Sequence, residues 1–462
     1  MPSPGPAQSP AMAGLLCAAA WARFAFRGAT GHVRRNDTIR ETRERTVRVT
    51  SQTTTGQARP ADIDSSYSWF RLAVSVLIST IGGVGMWSVV VALPVVQAEF
   101  GVARGEASLP YTLTMIGFAV GGILMGRLAD RRGVALPLVL GTAALALGYV
   151  AAAFSSSLMQ FAIVHGVLIG MLGSSASFGP LLADISHWFE RRRGIAVAIC
   201  ASGNYLAGTV WPPVVQHFIE SVGWRQTSIG IAIFCAATML PLTLLLRRAR
   251  PAQRQVLHAG GGAAGSPAQL GLSPGTLQGL LAVAGVACCV AMSMPQVHIV
   301  AYCFDLGYGV ARGAEMLSLM LGFGIVSRVA SGWIADHIGG LATLLLGSAL
   351  QGVALTLYLL FDGLASLYVI SALFGLFQGG IVPCYAIIVR EYFSPKEAGT
   401  RVGVVVMATL LGMALGGWLS GVVYDLTGSY TAAFANGLGW NLINVSIVLW
   451  LMRRRGAGLV PA

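Results

Sequence analysis

Charged residues are scarce in this sequence. Asp, Glu, Lys and Arg make up 10% of its 462 residues, whereas an ordinary soluble protein carries roughly 25%. So little charge excludes a large soluble enzyme with a hydrated surface of the usual kind. Hydrophobic residues make up 55%, and glycine occurs 59 times. Few charges and many small residues are typical of polytopic helical membrane proteins, in which small side chains let helices approach closely.

Lysine and the usual catalytic motifs are nearly or wholly missing. Lys396 is the one lysine among 30 basic residues, and the arginines lie in short clusters between apolar runs. Because no basic face results, the net charge of +12 indicates membrane topology and not a nucleic-acid partner. The seven cysteines show neither disulfide nor metal-ligand spacing, and the sequence has no phosphate-binding loop. We therefore expect neither an enzyme nor an ATP-driven pump, and no cofactor or metal.

Twelve apolar segments have the length of a membrane-spanning helix. A Gly-, Ala- and Pro-rich linker at 247–275 divides them into six and six. The sequence therefore predicts an all-α integral membrane protein with a first half at 67–246 and a second half at 276–455. We number the spans 1 to 12; their predicted limits are 70–98, 108–128, 135–155, 160–184, 194–216, 226–246, 276–303, 313–335, 340–360, 365–390, 400–422 and 430–452.

Both ends of the sequence lie outside the predicted spans. Residues 1–66 contain one apolar stretch, 14–26, that is too short to span a membrane, followed by an Arg- and Thr-rich aperiodic segment. We interpret 1–66 as a disordered basic N-terminal tail or as an extension from a wrongly chosen start codon. An organellar transit peptide is the minor alternative. Residues 456–462 form a short C-terminal tail.

The distribution of basic residues predicts the orientation. If both termini are cytoplasmic, the inner connections and the C-terminal tail hold 16 basic residues. The outer connections hold three, which are Arg104, Arg225 and Arg312. By the positive-inside rule, we expect a multi-pass protein of the cell inner (plasma) membrane with both termini in the cytoplasm. The two sides are called inner and outer below.

The two halves repeat one another. The stretch "GRLADRRG" at 126–133 follows span 2, and "GWIADHIG" at 332–339 follows span 8 at an offset of 206. Two more pairs agree with this offset within two residues: Phe189 with Phe393, and Gly223 with Gly428. Three pairs at nearly one offset predict two duplicated six-helix halves, related by a pseudo-two-fold axis along the membrane normal.

The loop "GRLADRRG" resembles the signature that transporters of the major facilitator superfamily carry after span 2. Three stretches resemble in particular the monocarboxylate and oxalate/formate transporter group. They are "WFERRRGIAVAICASGNYLAGTVWPPVVQHFIESVGWR" (188–225), "MPQVHIVAYCFDLG" (294–307) and "SRVASGWIADHIGG" (327–340). The resemblance covers roughly residues 68–455, and it implies the superfamily's twelve-helix fold and transport by alternating access.

Arg328 is a charged residue near the middle of span 8. It precedes Asp336 by eight residues, which is about 12 Å of helix, and an arginine there costs at least ~2.5 kcal/mol on insertion scales. The equivalent position in the first half is Gly122, so the fold does not require this charge twice. Guanidinium binds a carboxylate bidentately, and the resemblance implies this role for a span-8 arginine. We predict that Arg328 binds the substrate carboxylate; the alternative is a structural contact with a helix-end carbonyl or with Asp305.

Six further polar residues at membrane depth are candidate substrate contacts. His298 in span 7 lies near the outer end, in an H-x-V-x-Y stretch that is similar in the family, and Tyr302 follows one turn later. The others are Asn204 and Tyr205 in span 5, and Gln378 and Tyr385 in span 10. For each residue, packing or a hydrogen bond between helices is the alternative.

The two signature loops predict a gate at the inner mouth. Asp130 and Arg131 lie in a tight turn, where the carboxylate can pair with the arginines of the next inner loop. The predicted gating residues are Gly126, Asp130, Arg131, Gly133 and Asp336. The second loop is expected to be the weaker lock, because His337 and Ile338 replace the basic pair. The alternative for these charges is a topology signal alone.

Three positions depart from the family pattern. Where the resemblance implies a lysine late in span 1, this sequence has Val95, and where it implies an aspartate one turn before the arginine, it has Gly324. The lysine that the oxalate/formate type carries in span 11 is also absent. A single cation at depth favours a monoanion over a dicarboxylate by charge balance. Without an acid beside the arginine, His298 and Asp305 are the only candidates for proton coupling.

These features predict a secondary active transporter of small monocarboxylate anions that works as a monomer, by proton symport or by exchange with a counter-anion. One alternative is an efflux transporter of the same superfamily for lipophilic, drug-like compounds, which a mid-membrane arginine disfavours. Another is a transport-dead membrane sensor that signals through residues 1–66.

Overall fold

The structure of the protein, a computed structural model, describes residues 63–248 and 270–457. Within these ranges every regular element is a helix, and twelve helical segments are long and apolar enough to cross a membrane. The predicted all-α membrane architecture with twelve spans is confirmed. Most of the predicted N-terminal tail and of the linker, together with residues 458–462, lies outside the described residues.

Eight spans are single helices, and four are interrupted. The single helices are span 3 (Ala135–Ala153), span 5 (Arg193–Val222), span 6 (Trp224–Leu245), span 7 (Pro274–Asp305), span 8 (Val310–Ile338), span 9 (Gly340–Leu360), span 11 (Pro395–Thr427) and span 12 (Tyr430–Ala457). The interrupted spans are span 1 (Ser66–Gly82 and Val84–Phe100), span 2 (Arg104–Ala107 and Leu109–Arg132), span 4 (Leu158–Val164, a π-helical stretch His165–Ser174, and Gly179–Trp188) and span 10 (Leu364–Gln378 and Ile381–Tyr392).

Spans 4 and 10 are interrupted at equivalent positions. The helix of span 10 stops at Gly379 and Gly380, and 204 residues earlier span 4 leaves its helix after Ser174. In span 10 the glycines allow the backbone to touch span 8, since an added Cβ at Gly379 would overlap the backbone of Gly324. The close approach, and not a proline kink, therefore sets the position of this break.

The prolines of span 5 do not interrupt it. Pro212 and Pro213 predict a break or kink near the outer end of the span. The helix nevertheless runs from Arg193 to Val222 with both prolines inside it. Neighbouring groups in membrane bundles can satisfy the carbonyls that a proline leaves unpaired, so a proline pair alone does not end a membrane helix.

Equivalent glycines pack the helices of both halves. A Cβ at Gly170 in span 4 would overlap the backbone carbonyl of Thr114 in span 2, and a Cβ at Gly375 in span 10 would overlap that of Met320 in span 8. The two glycines are 205 residues apart, and their partners are 206 apart. The same backbone contact thus occurs in both halves, as the duplication predicts.

The two halves meet through a few helix pairs. Span 5 packs on span 8, span 2 packs on span 11, and span 1 contacts span 7. The first two pairs are equivalent under the duplication, because span 5 corresponds to span 11 and span 2 to span 8. A ligand bound between the halves would therefore lie among these helices.

We predict that Gly375→Ala destabilises the protein by about 1–3 kcal/mol, because the methyl group meets backbone that cannot turn aside. Gly230 in span 6 is the matched control, since no atom lies within 4 Å of its added Cβ. Gly230→Ala should be neutral or stabilising. Thermal unfolding of the purified proteins in detergent checks this, and equal midpoints for the two variants would contradict the packing described here.

Candidate functional site

Arg328 lies where span 8 of the second half contacts span 5 of the first. Its Nη1 donates to the Ala201 carbonyl in span 5 at 3.2 Å, and its Nε donates to the Gly379 carbonyl in span 10 at 3.4 Å. The guanidinium carbon lies 4.1 Å from the centre of the Tyr205 ring. Two of five N–H donors are thus used, and among the described residues no carboxylate forms a salt bridge with Arg328.

The sequence of span 10 explains why the Gly379 carbonyl is available. Its partner in a regular helix would be the N–H of residue 383, and Pro383 has none. The carbonyl at this helix break therefore needs another donor, and Arg328 supplies one. The predicted structural alternative for Arg328, a contact with a helix-end carbonyl, is thus present, whereas Asp305 pairs with another arginine.

Gly324, one turn before Arg328, faces the same tyrosine. An added Cβ at this position would overlap the Tyr205 ring. Tyr205 is 6% exposed and packs between span 5 and span 8. The aromatic ring therefore occupies the space that the aspartate of the family pattern would need, which accounts for one of the departures noted above.

Two more candidates, Gln378 and Asn204, are neighbours in sequence of the groups around Arg328. The Gln296 amide donates to Gln378 Oε1 at 2.9 Å, and both side chains are buried. Gln296 Oε1 and Gln378 Nε2 have no hydrogen-bond partner among the described residues. The Asn204 carbonyl accepts from the Trp87 indole at 3.3 Å, and its side chain is partly exposed. Gln378 thus keeps a buried donor available beside the break in span 10.

Tyr385 is bonded within the second half. Its hydroxyl donates to Asn444 Oδ1 at 3.1 Å in span 12, and Asn444 in turn donates to Ser348 at 2.7 Å in span 9. The ring is completely buried. This is the interhelical network that was the alternative for Tyr385, and the structure does not bring its hydroxyl to Arg328.

His298 and Tyr302 belong to a cluster on the outer side. His298 Nε2 lies 2.8 Å from the Gly417 carbonyl, so this nitrogen carries the proton, and Nδ1 accepts from the Tyr430 hydroxyl at 3.1 Å. The Tyr302 ring packs edge-on against Tyr430, with centroids 5.3 Å apart. Both candidates are therefore separated from Arg328 and joined to span 12.

The same cluster closes the outer side between the halves. Arg104, at the start of span 2, donates to both oxygens of Asp305 at 3.1 Å and to the Tyr430 hydroxyl at 3.1 Å. The backbone N–H groups of Arg104 and Gly105 donate to Asp425 at 2.8 and 2.7 Å. Arg104 is 6% exposed. All its carboxylate partners come from the second half.

The inner side of the first half holds a second buried arginine. Arg71 donates to Asp184 at 2.7 Å, with side chains 1% and 0% exposed, and it stacks on Trp188 at 4.5 Å. Asp130 lies on the rim of the same region, in a pocket of about 350 Å³. Its other lining residues are Arg71, Arg132, Gly133, Val134, Ala135, Asp184, Leu246, Arg247 and Arg248. The predicted gating aspartate thus faces a basic pocket within its own half.

The other gating candidates lie at the inner ends of spans 2 and 8. Gly133 and Gly339 end these helices at φ values of 80° and 84°, a conformation that suits glycine. Arg131 and Asp336 are exposed. An added Cβ at Gly126 would meet no atom within 4 Å. The signature loops therefore border open space, in contrast to the closed outer side.

The sequence reasoning missed the partnered arginines. Arg71 was grouped with the N-terminal tail, and Arg104 was counted only as an outer-loop charge. A signal for Arg104 was present, because Asp305 and Asp425 both lie at outer ends of spans in the other half. Charge counting gives the side of the membrane, whereas partners across the two halves depend on how the halves pack.

Comparison with known proteins gives a consistent result. A family model described as Major Facilitator Superfamily matches residues 75–365 and 333–461. Monocarboxylate transporter 13 of Bos taurus is 30% identical over 336 residues, which are 71% of this chain and 75% of that protein. An MFS-type transporter of Gibberella moniliformis is 26% identical over 367 residues, covering 76% and 86% of the two chains.

Among solved structures, a bacterial homologue of the human lysosomal transporter Spinster, in an inward-facing and unoccupied conformation, matches with a TM-score of 0.61. The match covers 85% of this chain and 96% of that chain at 16% sequence identity. At this identity the likeness shows the fold alone.

We predict that Arg71→Gln lowers the free energy of unfolding by about 3–5 kcal/mol, because Asp184 keeps a buried charge without its counter-charge. Arg401→Gln is the control, since its pair with Glu397 has side chains 22% and 56% exposed and should contribute at most ~1 kcal/mol. Thermal unfolding of the purified variants is the measurement. If both variants unfold at the same temperature, Arg71 and Asp184 do not stabilise the first half as described.

Proposed function

The chain belongs to the Major Facilitator Superfamily, and from this premise we propose that it moves small monocarboxylate anions across the membrane by alternating access. It is a multi-pass membrane transporter and not an enzyme. The observation that carries the proposal is the position of Arg328, a permanent charge between the two halves whose hydrogen bonds go only to carbonyls. Relatives named monocarboxylate transporters support a carboxylate as the substrate.

The charge of Arg328 favours one carboxylate. Two carbonyl bonds and one aromatic face solvate the guanidinium but do not neutralise it. A monoanion bound to the remaining N–H groups would make the site neutral, whereas a dicarboxylate would leave a second charge without a partner. The favoured substrates are therefore acids with a single carboxylate.

We assign the remaining candidates to two levels of the path. Gln378 and Asn204 are substrate contacts near Arg328, with the unpartnered Gln378 amide as the closest available donor in sequence to the Gly379 carbonyl. His298 and Tyr302 act at the outer end, where they are bonded to or packed against Tyr430. Tyr385 contributes through the packing of spans 9, 10 and 12.

The same proposal covers the gate and the orientation. Asp130 and Arg131, with Gly126 and Gly133 beside them and Asp336 in the second copy, close the inner mouth when the halves rock to the other side. Both termini lie in the cytoplasm of a cell whose inner (plasma) membrane holds the protein as a monomer. Transport is driven by co-transported protons or by a counter-anion.

We predict that proteoliposomes containing the protein take up one or more acids from a panel of labelled monocarboxylates, and take up matched dicarboxylates and a lipophilic cation far more slowly. Arg328→Lys keeps the charge and loses the bidentate fork, so its KM should rise by about tenfold or more. A pH gradient that accelerates uptake indicates proton symport. Acceleration by a trans anion without a pH effect indicates exchange.

The control is Arg312→Lys, an exposed outer arginine of the same span that is paired with Glu315. Its uptake should equal that of the unaltered protein. If Arg328→Lys transports the same acids with the same KM as the unaltered protein, Arg328 does not bind the substrate. Faster uptake of the lipophilic cation than of any acid would support the efflux alternative.

A further inference from the structure

We propose that Tyr205 is a positioning residue that fixes the plane of the Arg328 guanidinium, an inference that rests on the function proposed above. The ring centre lies 4.1 Å from the guanidinium carbon, a distance at which a cation is attracted to the ring face. Because Tyr205 is in the first half and Arg328 in the second, the contact also crosses the interface between the halves.

The surroundings leave the ring one place. On one side Tyr205 is packed against Gly324, where any Cβ would overlap it. The guanidinium is held from the same helix by the Ala201 carbonyl, one turn before Tyr205. With one face against the ring and two N–H groups on carbonyls, the planar fork has a defined plane. Its remaining N–H groups are then preorganised for a carboxylate, which lowers the entropy that binding costs.

The test separates a positioning role from packing. Tyr205→Phe keeps the ring and should leave KM within about twofold, whereas Tyr205→Leu removes the cation–π contact and should raise KM about tenfold with kcat little changed. Gly324→Ala keeps both side chains but displaces the ring, so it should also raise KM. Tyr358→Leu is the control: this buried tyrosine in span 9 packs on Phe434, and its loss should lower the yield of folded protein without changing KM.

An unchanged KM in both Tyr205→Leu and Gly324→Ala would overturn the inference, as would an equal rise in Tyr358→Leu. The result is distinguishable from failure of the proposed function. If Arg328→Lys weakens uptake and Tyr205→Leu does not, only the positioning role falls. If Arg328→Lys itself has no effect, the proposed substrate site falls.

A different set of observations, on the outer side, leads to a second inference: the geometry points to Arg104 as a latch that holds the outer mouth closed. Its side chain and backbone contact Asp305, Asp425 and Tyr430 of the second half through five hydrogen bonds. An interface of this kind between halves must separate for the outer mouth to open.

The latch is built for close contact. Gly421 of span 11 lies against the backbone of Arg104 and Gly105, where a Cβ would crowd them. The Tyr424 ring lies 4.9 Å from the Arg104 guanidinium. Arg104 is almost completely desolvated, and loss of one partner of such a charge pair is costly. Substitutions in the latch should therefore shift the population toward states with an open outer side.

Accessibility of one engineered cysteine tests the latch without any substrate. Thr112 lies two turns inward from Arg104 and donates to the Ala414 carbonyl across the halves at 3.2 Å. Thr112→Cys in a protein otherwise free of cysteine should react slowly with a membrane-impermeant maleimide added outside. Adding Arg104→Gln or Asp425→Asn should accelerate the labelling by about tenfold or more.

The matched control is the other outer ion pair, Arg225 with Glu99, which joins residues of the first half only. Arg225→Gln should leave the labelling rate unchanged. Asp305→Asn provides a further variant if Arg104→Gln does not fold. Equal labelling rates with intact and altered latch residues, or an equal acceleration by Arg225→Gln, would overturn the latch.

Discussion

A guanidinium at mid-membrane depth with no carboxylate partner is the constraint on which this protein depends. The low dielectric of the bilayer makes such a charge expensive, so the neighbouring backbone must solvate it. Arg328 receives this from one carbonyl in each half and from an aromatic face. By contrast, Arg71 and Arg104 are neutralised by carboxylates. The arginine at the centre of the bundle is thus solvated, yet still carries a charge that a substrate can neutralise.

Backbone contacts between helices make this arrangement possible. Gly375 and Gly379 of span 10 lie against the backbone of span 8, and a side chain at either position would separate the two helices. Pro383 then leaves the Gly379 carbonyl without its helical donor. The break in span 10 and the solvation of Arg328 are therefore one feature, produced by two glycines and a proline within a few residues.

Much of the architecture follows from sequence pattern, because its causes are local. Apolar length gives twelve spans, and the repeat of "GRLADRRG" as "GWIADHIG" gives the duplication, which the packing of Gly170 and Gly375 reproduces. Arg328 was recognisable because a charge inside an apolar run is a local anomaly. The contacts of His298 with Tyr430 and Gly417 were not. They join residues more than 100 positions apart, and only the packing of spans 7, 11 and 12 brings them together.

The central claim is that one carboxylate binds Arg328 between the halves. It is tested most directly by solid-state NMR of the reconstituted protein, with ¹⁵N-labelled arginine and the best-transported acid of the uptake panel labelled with ¹³C at its carboxyl carbon. We predict a carboxyl-to-guanidinium distance of about 4 Å, as in a bidentate pair, and the loss of this coupling in Arg328→Lys. A carboxyl carbon that is bound but shows no coupling to a guanidinium, or a coupling that persists in Arg328→Lys, would contradict the account.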